Sequence, residues 1–124
     1  MSYKVLVVDD SRAMRMLVMR SLRSAGLEIE NSTEASNGVE ATKVLGAEKV
    51  DIVFSDWNMP EMNGLELLKW VRANAATARV PFYLITTETG DAQVSEALKA
   101  GANGYLCKPF APEDLSKTLT EYLT

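Results

Sequence analysis

The sequence predicts an α/β fold in which helices cover both faces of a five-stranded parallel sheet. Two observations predict it. Residues 4–8 (KVLVV), 52–54 (IVF), 81–86 (PFYLIT) and 104–107 (GYLC) are short apolar runs that stop at polar or turn residues. Strands buried on both faces read that way. Amphipathic segments with glycine or capping residues at their ends lie between the runs, so strand and helix alternate five times. Such alternation implies parallel pairing with right-handed crossovers.

Taken in order, the first run ends at Asp9-Asp10-Ser11, and a helix follows over residues 12–25. Met14, Leu17, Val18, Leu22 and Ala25 form its apolar stripe. Arg12, Arg15, Arg20 and Arg23 fall opposite, as a solvated face. Gly26 ends it at the C′ position. Residues 28–36 are polar and weakly patterned, the mark of an edge strand. Asn37-Gly38 is a turn, and a short helix over 39–45 presents Val39, Ala41, Thr42 and Leu45 inward before Gly46 stops it. The central run closes at Ser55-Asp56, and Asn58, Pro60, Asn63 and Gly64 make a loop. Residues 64–74 form the third helix, with Leu65, Leu68 and Val71 buried and Trp70 on it. Trp57, beside Asp56, is expected to be exposed. Thr86, Thr87 and Glu88 end the fourth strand. A fourth helix spans 92–100 and closes at Gly101. The fifth strand ends at Lys108-Pro109-Phe110, with Cys107 inside it as a buried, inert thiol. Pro112 opens a last helix, with Leu115, Leu119, Tyr122 and Leu123 at core spacing.

Composition narrows the function. The chain has 124 residues, 47% hydrophobic and 24% charged, as expected of one soluble domain over 1–124. A net charge of −4 argues against DNA binding. One cysteine excludes an internal disulfide and points to a reducing compartment, and no run reaches membrane-spanning length. A cytoplasmic monomer is expected. Histidine is absent. Histidine triads, His–metal sites and phosphohistidine are therefore excluded, and any metal must be a hard ion held by carboxylates, such as Mg²⁺.

The strand ends carry the chemistry. Strand one supplies Asp9 and Asp10, strand three Asp56, strand four Thr86 and strand five Lys108. In a doubly wound sheet these residues converge at the carboxyl edge, where ligands bind. Carboxylates about 4 Å apart repel by about 4 kcal/mol per pair at an effective dielectric near 20. A divalent cation and the Lys108 ammonium would relieve this. A metal, a lysine, a hydroxyl and an exposed carboxylate suit phosphoryl transfer, with the carboxylate as nucleophile.

VVDDS at the first strand, SDWNMPEMNG at the third, TTE at the fourth and KPF at the fifth bring the argument to a family. In order and over nearly the whole chain, these motifs resemble the receiver domain of two-component response regulators, most of all its single-domain chemotaxis members. The resemblance implies a flavodoxin-like receiver fold with strand order 2-1-3-4-5 and five helices. It implies that Asp56 takes a phosphoryl group from a histidine kinase or a small phosphodonor. Asp10 and Asp56 would ligate Mg²⁺ directly, Asp9 through water, and Asn58 by its backbone carbonyl. Thr86 and Lys108 would hold the phosphoryl oxygens, and Lys108-Pro109 would be a cis peptide. Thr86 and Tyr105 would form the switch, and the surface of helix four, strand five and helix five would bind the partner. Asn58 and Glu88 stand where the family tunes the phosphoryl lifetime. Thr87 departs from the small residue common after the switch threonine and would narrow access.

A flagellar switch protein or a phosphatase is the partner that the resemblance implies beyond the kinase, with no DNA and no membrane. A phosphorelay or phosphate-sink receiver, or a phosphorylation-independent adaptor, is the alternative. An adaptor that had lost phosphorylation would lack an acidic, threonine or lysine position, and this chain keeps all of them. An aspartate-nucleophile phosphatase would carry an acid two residues after Asp56, where Asn58 stands. No dinucleotide or Walker motif is present. The chain is thus expected not to be an enzyme beyond its own phosphorylation and dephosphorylation.

Overall fold

The computed structural model describes residues 3–86, 91–107, 113, 114, 116 and 117. The elements are β1 (Tyr3–Val8), α1 (Arg12–Ser24), β2 (Ile29–Ala35), α2 (Gly38–Ala47), β3 (Ile52–Asp56), α3 (Gly64–Ala73), β4 (Phe82–Thr86), α4 (Asp91–Lys99) and β5 (Gly104–Cys107). The strands form a single sheet in the order β2-β1-β3-β4-β5, with every neighbouring pair parallel. The order reverses direction between β1 and β3. That is the switch point at which a doubly wound sheet opens a crevice.

Pleating sorts the buried side chains into two cores. Leu6, Val8, Val53, Phe82 and Leu84 face a cluster with Ala41 and Leu45 of α2, Leu65, Leu68 and Val71 of α3, and Ala97 of α4. Val5, Val7, Ile52, Phe54, Tyr83 and Ile85 face the other side, against Val18, Met19 and Leu22 of α1. There Phe54 and Tyr83 stack with ring centroids 5.5 Å apart. β3 and β4 are buried along their whole length, which is why their sequences are unbroken apolar runs. β2 alternates little and stays largely exposed, as an edge strand does.

The helices α1, α2 and α3 each begin on a side-chain cap. Ser11 accepts from the Met14 amide at 3.3 Å, and Asn37 accepts from the Glu40 amide at 2.9 Å. Asn63 caps α3 in a reciprocal pair with Glu66. These caps fix where the βα loops end, and so where the residues at the strand tips point.

Five expectations need correction. Cys107, expected to be a buried thiol, is only half-buried on β5. On α1, Val18, Met19, Ser21 and Leu22 are buried, while Leu17 is 45% exposed. The helix rests on the line through Val18 and Leu22, and at 100° per residue that line favours Met19 over Leu17. Arg15 lies only about 60° from Val18 by the same count, so it is half-buried rather than on a fully solvated face. Gly46 does not stop α2, which runs on to Ala47; an exposed glycine costs a helix only about 1 kcal/mol. Trp57 is buried, 8% exposed, in the core shared with α2 and α3. Its amide donates to the Ile85 carbonyl at 3.0 Å. The ladder thus continues one residue past β3, and the period of two puts Trp57 on the same face as Val53.

Glu113, Asp114, Ser116 and Lys117 are helical. The rest of the expected fifth helix, with Pro112, Leu115, Leu119, Tyr122 and Leu123, lies outside the described residues. So do Thr87, Glu88, Lys108, Pro109 and Phe110. Among the described residues no helix is long and apolar enough to cross a membrane.

Candidate functional site

Parallel register builds the site. Val8 of β1 pairs with Ser55 of β3, so Asp9 and Asp56 follow side by side at the carboxyl edge. Asp56 in turn pairs with Ile85, and Thr86 ends the next strand beside Cys107. Asp9, Asp10 and Asp56 each offer a carboxylate oxygen, and these oxygens all lie within 4.8 Å of one another. Asp56, the nucleophile expected to be exposed, is buried at 6% exposure, as are Asp9 at 3% and Thr86, because β3 is covered on both faces; Asp10 is the carboxylate open to solvent. The site is therefore closed beneath and open on one side.

Asp9 is held on three sides. Its amide donates to the Ala35 carbonyl of β2 at 3.0 Å. Its Oδ1 accepts from the Ser11 amide at 2.9 Å. Its carbonyl accepts from Arg15 Nη1 at 2.6 Å, and Arg15 Nε donates to Glu34 Oε1 at 2.8 Å. Sequence reasoning missed Arg15. The signal available was its place in the first turn of α1, five residues after Asp10 and near the helix's inner face.

Asp56 is held by backbone. The Gly64 amide donates to the Trp57 carbonyl at 2.9 Å and closes the β3–α3 loop onto the strand tip. No side chain fits at Gly64. A Cβ there would run into the Asp56 carbonyl and stand 2.8 Å from Leu84 Cδ2 and 3.0 Å from the Trp57 Cα. Gly38 serves the same loop from the other side. Its amide donates to the Met62 carbonyl at 3.2 Å, and a Cβ would lie 2.6 Å from Met62 Cγ. Inside the loop Glu61 adopts φ 67°, and the Met62 amide donates to the Pro60 carbonyl at 2.7 Å. That is a three-residue γ-turn with a left-handed centre.

Three carboxylates this close repel one another. At about 5 Å each pair costs about 3 kcal/mol at an effective dielectric of 20. Hard oxygen donors converging from two strand ends suit a hard divalent cation. Of the other sequence-predicted site residues, Asn58 is exposed in the loop after β3. Tyr105 is 39% exposed on β5, paired with Leu84. Lys108 and Glu88 lie outside the described residues. A broad cleft lined by residues 45–51 and 75–81 sits at the opposite edge of the sheet, far from the carboxylates; the chemistry, not the size of the hollow, marks the site.

The sequence profile of the response regulator receiver domain matches residues 5–120. The chain belongs to that family. Relatives agree with the profile over nearly the full length of this receiver. A chemotaxis protein CheY homolog from Campylobacter jejuni is 47% identical over 121 residues, covering 97% of this chain and 92% of its own. Among solved structures, Vibrio cholerae chemotaxis protein CheY4 superposes with a TM-score of 0.86 at 40% identity, covering 98% of both chains. The receiver domain of a sensor histidine kinase from Pseudomonas aeruginosa gives a TM-score of 0.84 at 25% identity, over 99% of this chain and 98% of that one. It was solved with a magnesium ion coordinated in its active site cleft. The carboxylate group described above meets the donor chemistry that such an ion requires.

Proposed function

We propose that this receiver is a phosphoacceptor that switches a binding surface, with Asp56 as the residue phosphorylated. The observation that carries the reading is the meeting of Asp9, Asp10 and Asp56 oxygens within 4.8 Å at the carboxyl edge. An Asp56 carboxylate oxygen would attack phosphorus, the P–N bond of a histidine kinase's phosphohistidine would break, and the imidazole would leave. Asp10, Asp56 and the Asn58 carbonyl would hold Mg²⁺ directly, with Asp9 through water. When bound, the ion supplies charge neutralisation for the carboxylates and the phosphoryl oxygens. Thr86 and Lys108 would bind those oxygens. The buried setting of Asp9 and Asp56 excludes bulk water beneath the site and strengthens each of these interactions.

Phosphorylation would then bias a two-state surface. Thr86 would move toward the phosphoryl group, and Tyr105, now part-exposed, would turn inward. The surface formed by α4, β5 and the last helix would bind the output partner. Asn58 and Glu88 would set how fast water reaches the acyl phosphate. Relatives named as chemotaxis proteins favour a flagellar switch protein as that partner, with the chain acting as a cytoplasmic monomer. It would turn over nothing but its own phosphoryl group.

The test is direct. The chain is treated with Mg²⁺ and acetyl phosphate, and peptide mass spectrometry locates the added phosphoryl group. The reading expects it on Asp56 and expects none in Asp56→Asn; another acceptor overturns it. A pull-down with beryllofluoride and Mg²⁺ then separates outputs. Capture of a flagellar switch protein supports the chemotaxis reading, and capture of a histidine phosphotransfer protein alone supports a relay or phosphate sink.

A further inference from the structure

We infer that Arg15 is a positioning residue for the cation site: it fixes the Asp9–Asp10 peptide plane through the Asp9 carbonyl and ties that plane to Glu34 on β2. The inference rests on the reading of Asp9, Asp10 and Asp56 as cation ligands. Arg15 touches none of the reacting atoms. Its guanidinium instead spans two groups, Asp9 O at 2.6 Å and Glu34 Oε1 at 2.8 Å. The Arg15 side chain is 15% exposed and Glu34 47%. An ion pair this open contributes little to stability by itself. Its value lies in where it leaves the guanidinium.

The peptide bond is planar. Holding the Asp9 carbonyl therefore holds the amide of Asp10 and the direction in which the Asp10 Cα departs. The opposite end of Asp9 is already pinned by its amide to Ala35 and by its carboxylate to the Ser11 amide. Asp10, by contrast, is exposed, so packing does little to set its direction. The Arg15 bond constrains the plane from which Asp10 emerges. Partners of this kind, one step behind the ligands, commonly change metal affinity by about 10–100-fold when removed.

Charge alone predicts the reverse sign. Deleting the Arg15 cation removes a positive charge from beside Asp9 and leaves Glu34 unbalanced, which by Coulomb's law should draw a cation in more tightly. A positioning role predicts weaker binding. The two accounts therefore disagree on direction as well as size.

The experiment is a calorimetric Mg²⁺ titration of the full chain and of Arg15→Met, Arg15→Lys and Asp10→Asn. Unfolding midpoints are measured in chelator, together with amide hydrogen exchange at Asp10 and Ser11 in the metal-free proteins. Arg15→Met should bind Mg²⁺ about 10-fold or more weakly and should exchange faster at Asp10 before any metal is added. Arg15→Lys keeps the charge but loses the fork, so it should fall between wild type and Arg15→Met. If Arg15→Met does not fold, Arg15→Lys alone decides, because an account by charge predicts no change for it. Mg²⁺ affinity equal to or tighter than wild type in the folded variants overturns the inference. Absence of Mg²⁺ binding by the wild-type chain overturns the cation-site reading itself, and this inference with it.

Discussion

Gly64 lies against the backbone of Asp56 so closely that a β-carbon at Gly64 would overlap the Asp56 carbonyl. The loop that follows β3 thus returns to touch the residue at which it began. The contact needs the absence of a side chain, and the geometry of the strand tip depends on it.

Gly64→Ala should accordingly lower stability by about 1–3 kcal/mol, the usual effect of forcing extra atoms into a packed site. It should also displace Asp56. Urea unfolding checks the first outcome, and weaker Mg²⁺ binding by the folded variant checks the second. Unchanged values for both would show that the loop shifts away without consequence.

Asp56→Asn should stabilise the metal-free chain by about 1 kcal/mol or more, since it removes one of three mutually repelling charges. The same substitution should weaken Mg²⁺ binding and abolish the phosphodonor response. Thermal unfolding in chelator and in excess Mg²⁺ shows both effects: the variant should lead in chelator and lose its lead as Mg²⁺ is raised.

Glu61 holds a left-handed backbone at the centre of a γ-turn. Glycine takes that conformation without a Cβ penalty. Glu61→Gly should therefore raise stability by about 1 kcal/mol, strain relief outweighing the greater freedom of glycine in the unfolded chain. Equilibrium urea denaturation measures it.

Glu40 gives a pH dependence. The Ser36 hydroxyl and the Ser36 amide both donate to its carboxylate, at 2.5 and 3.1 Å, and hold its pKa below the usual range. A carboxylate whose pKa is depressed in the folded state contributes stability above its unfolded pKa. That contribution is lost as pH falls through the folded value. Carboxyl-carbon NMR should show Glu40 titrating below the ordinary glutamate pKa of about 4.3. Ser36→Ala should move it back up.

Much of this was legible in the residues. Short apolar runs with abrupt ends located β1, β3, β4 and β5, and the carboxylates that end β1 and β3 were visible because nothing in a sheet requires them. Sequence reasoning failed where tertiary placement overrode local pattern. Trp57 follows an apolar run that stops at Ser55-Asp56 in the sequence, yet one more ladder bond carries it into the core. Leu17 has the right spacing for the buried stripe of α1, but the axis on which the helix rests selects Met19. Arg15 looks like one more solvated arginine, since the Asp9 carbonyl that it holds leaves no mark in the sequence. Gly38 reads as a turn residue because of Asn37, whereas its lack of a side chain also admits Met62.

Arg72 shapes how the far side of the sheet can respond. Its guanidinium donates to the Gly101 carbonyl at 3.0 and 2.8 Å, to the Val80 carbonyl at 2.6 Å and to Asn103 Oδ1 at 3.0 Å. Asn103 Oδ1 also accepts from the Phe82 amide at 2.9 Å. The stretch leading into β5 is thereby riveted to α3 and to the start of β4. Tyr105 stands two residues beyond the rivet. A displacement of β5 would have its fulcrum at Asn103, with travel growing toward Cys107, so a signal at the carboxyl edge would tilt this strand like a lever and leave its root in place.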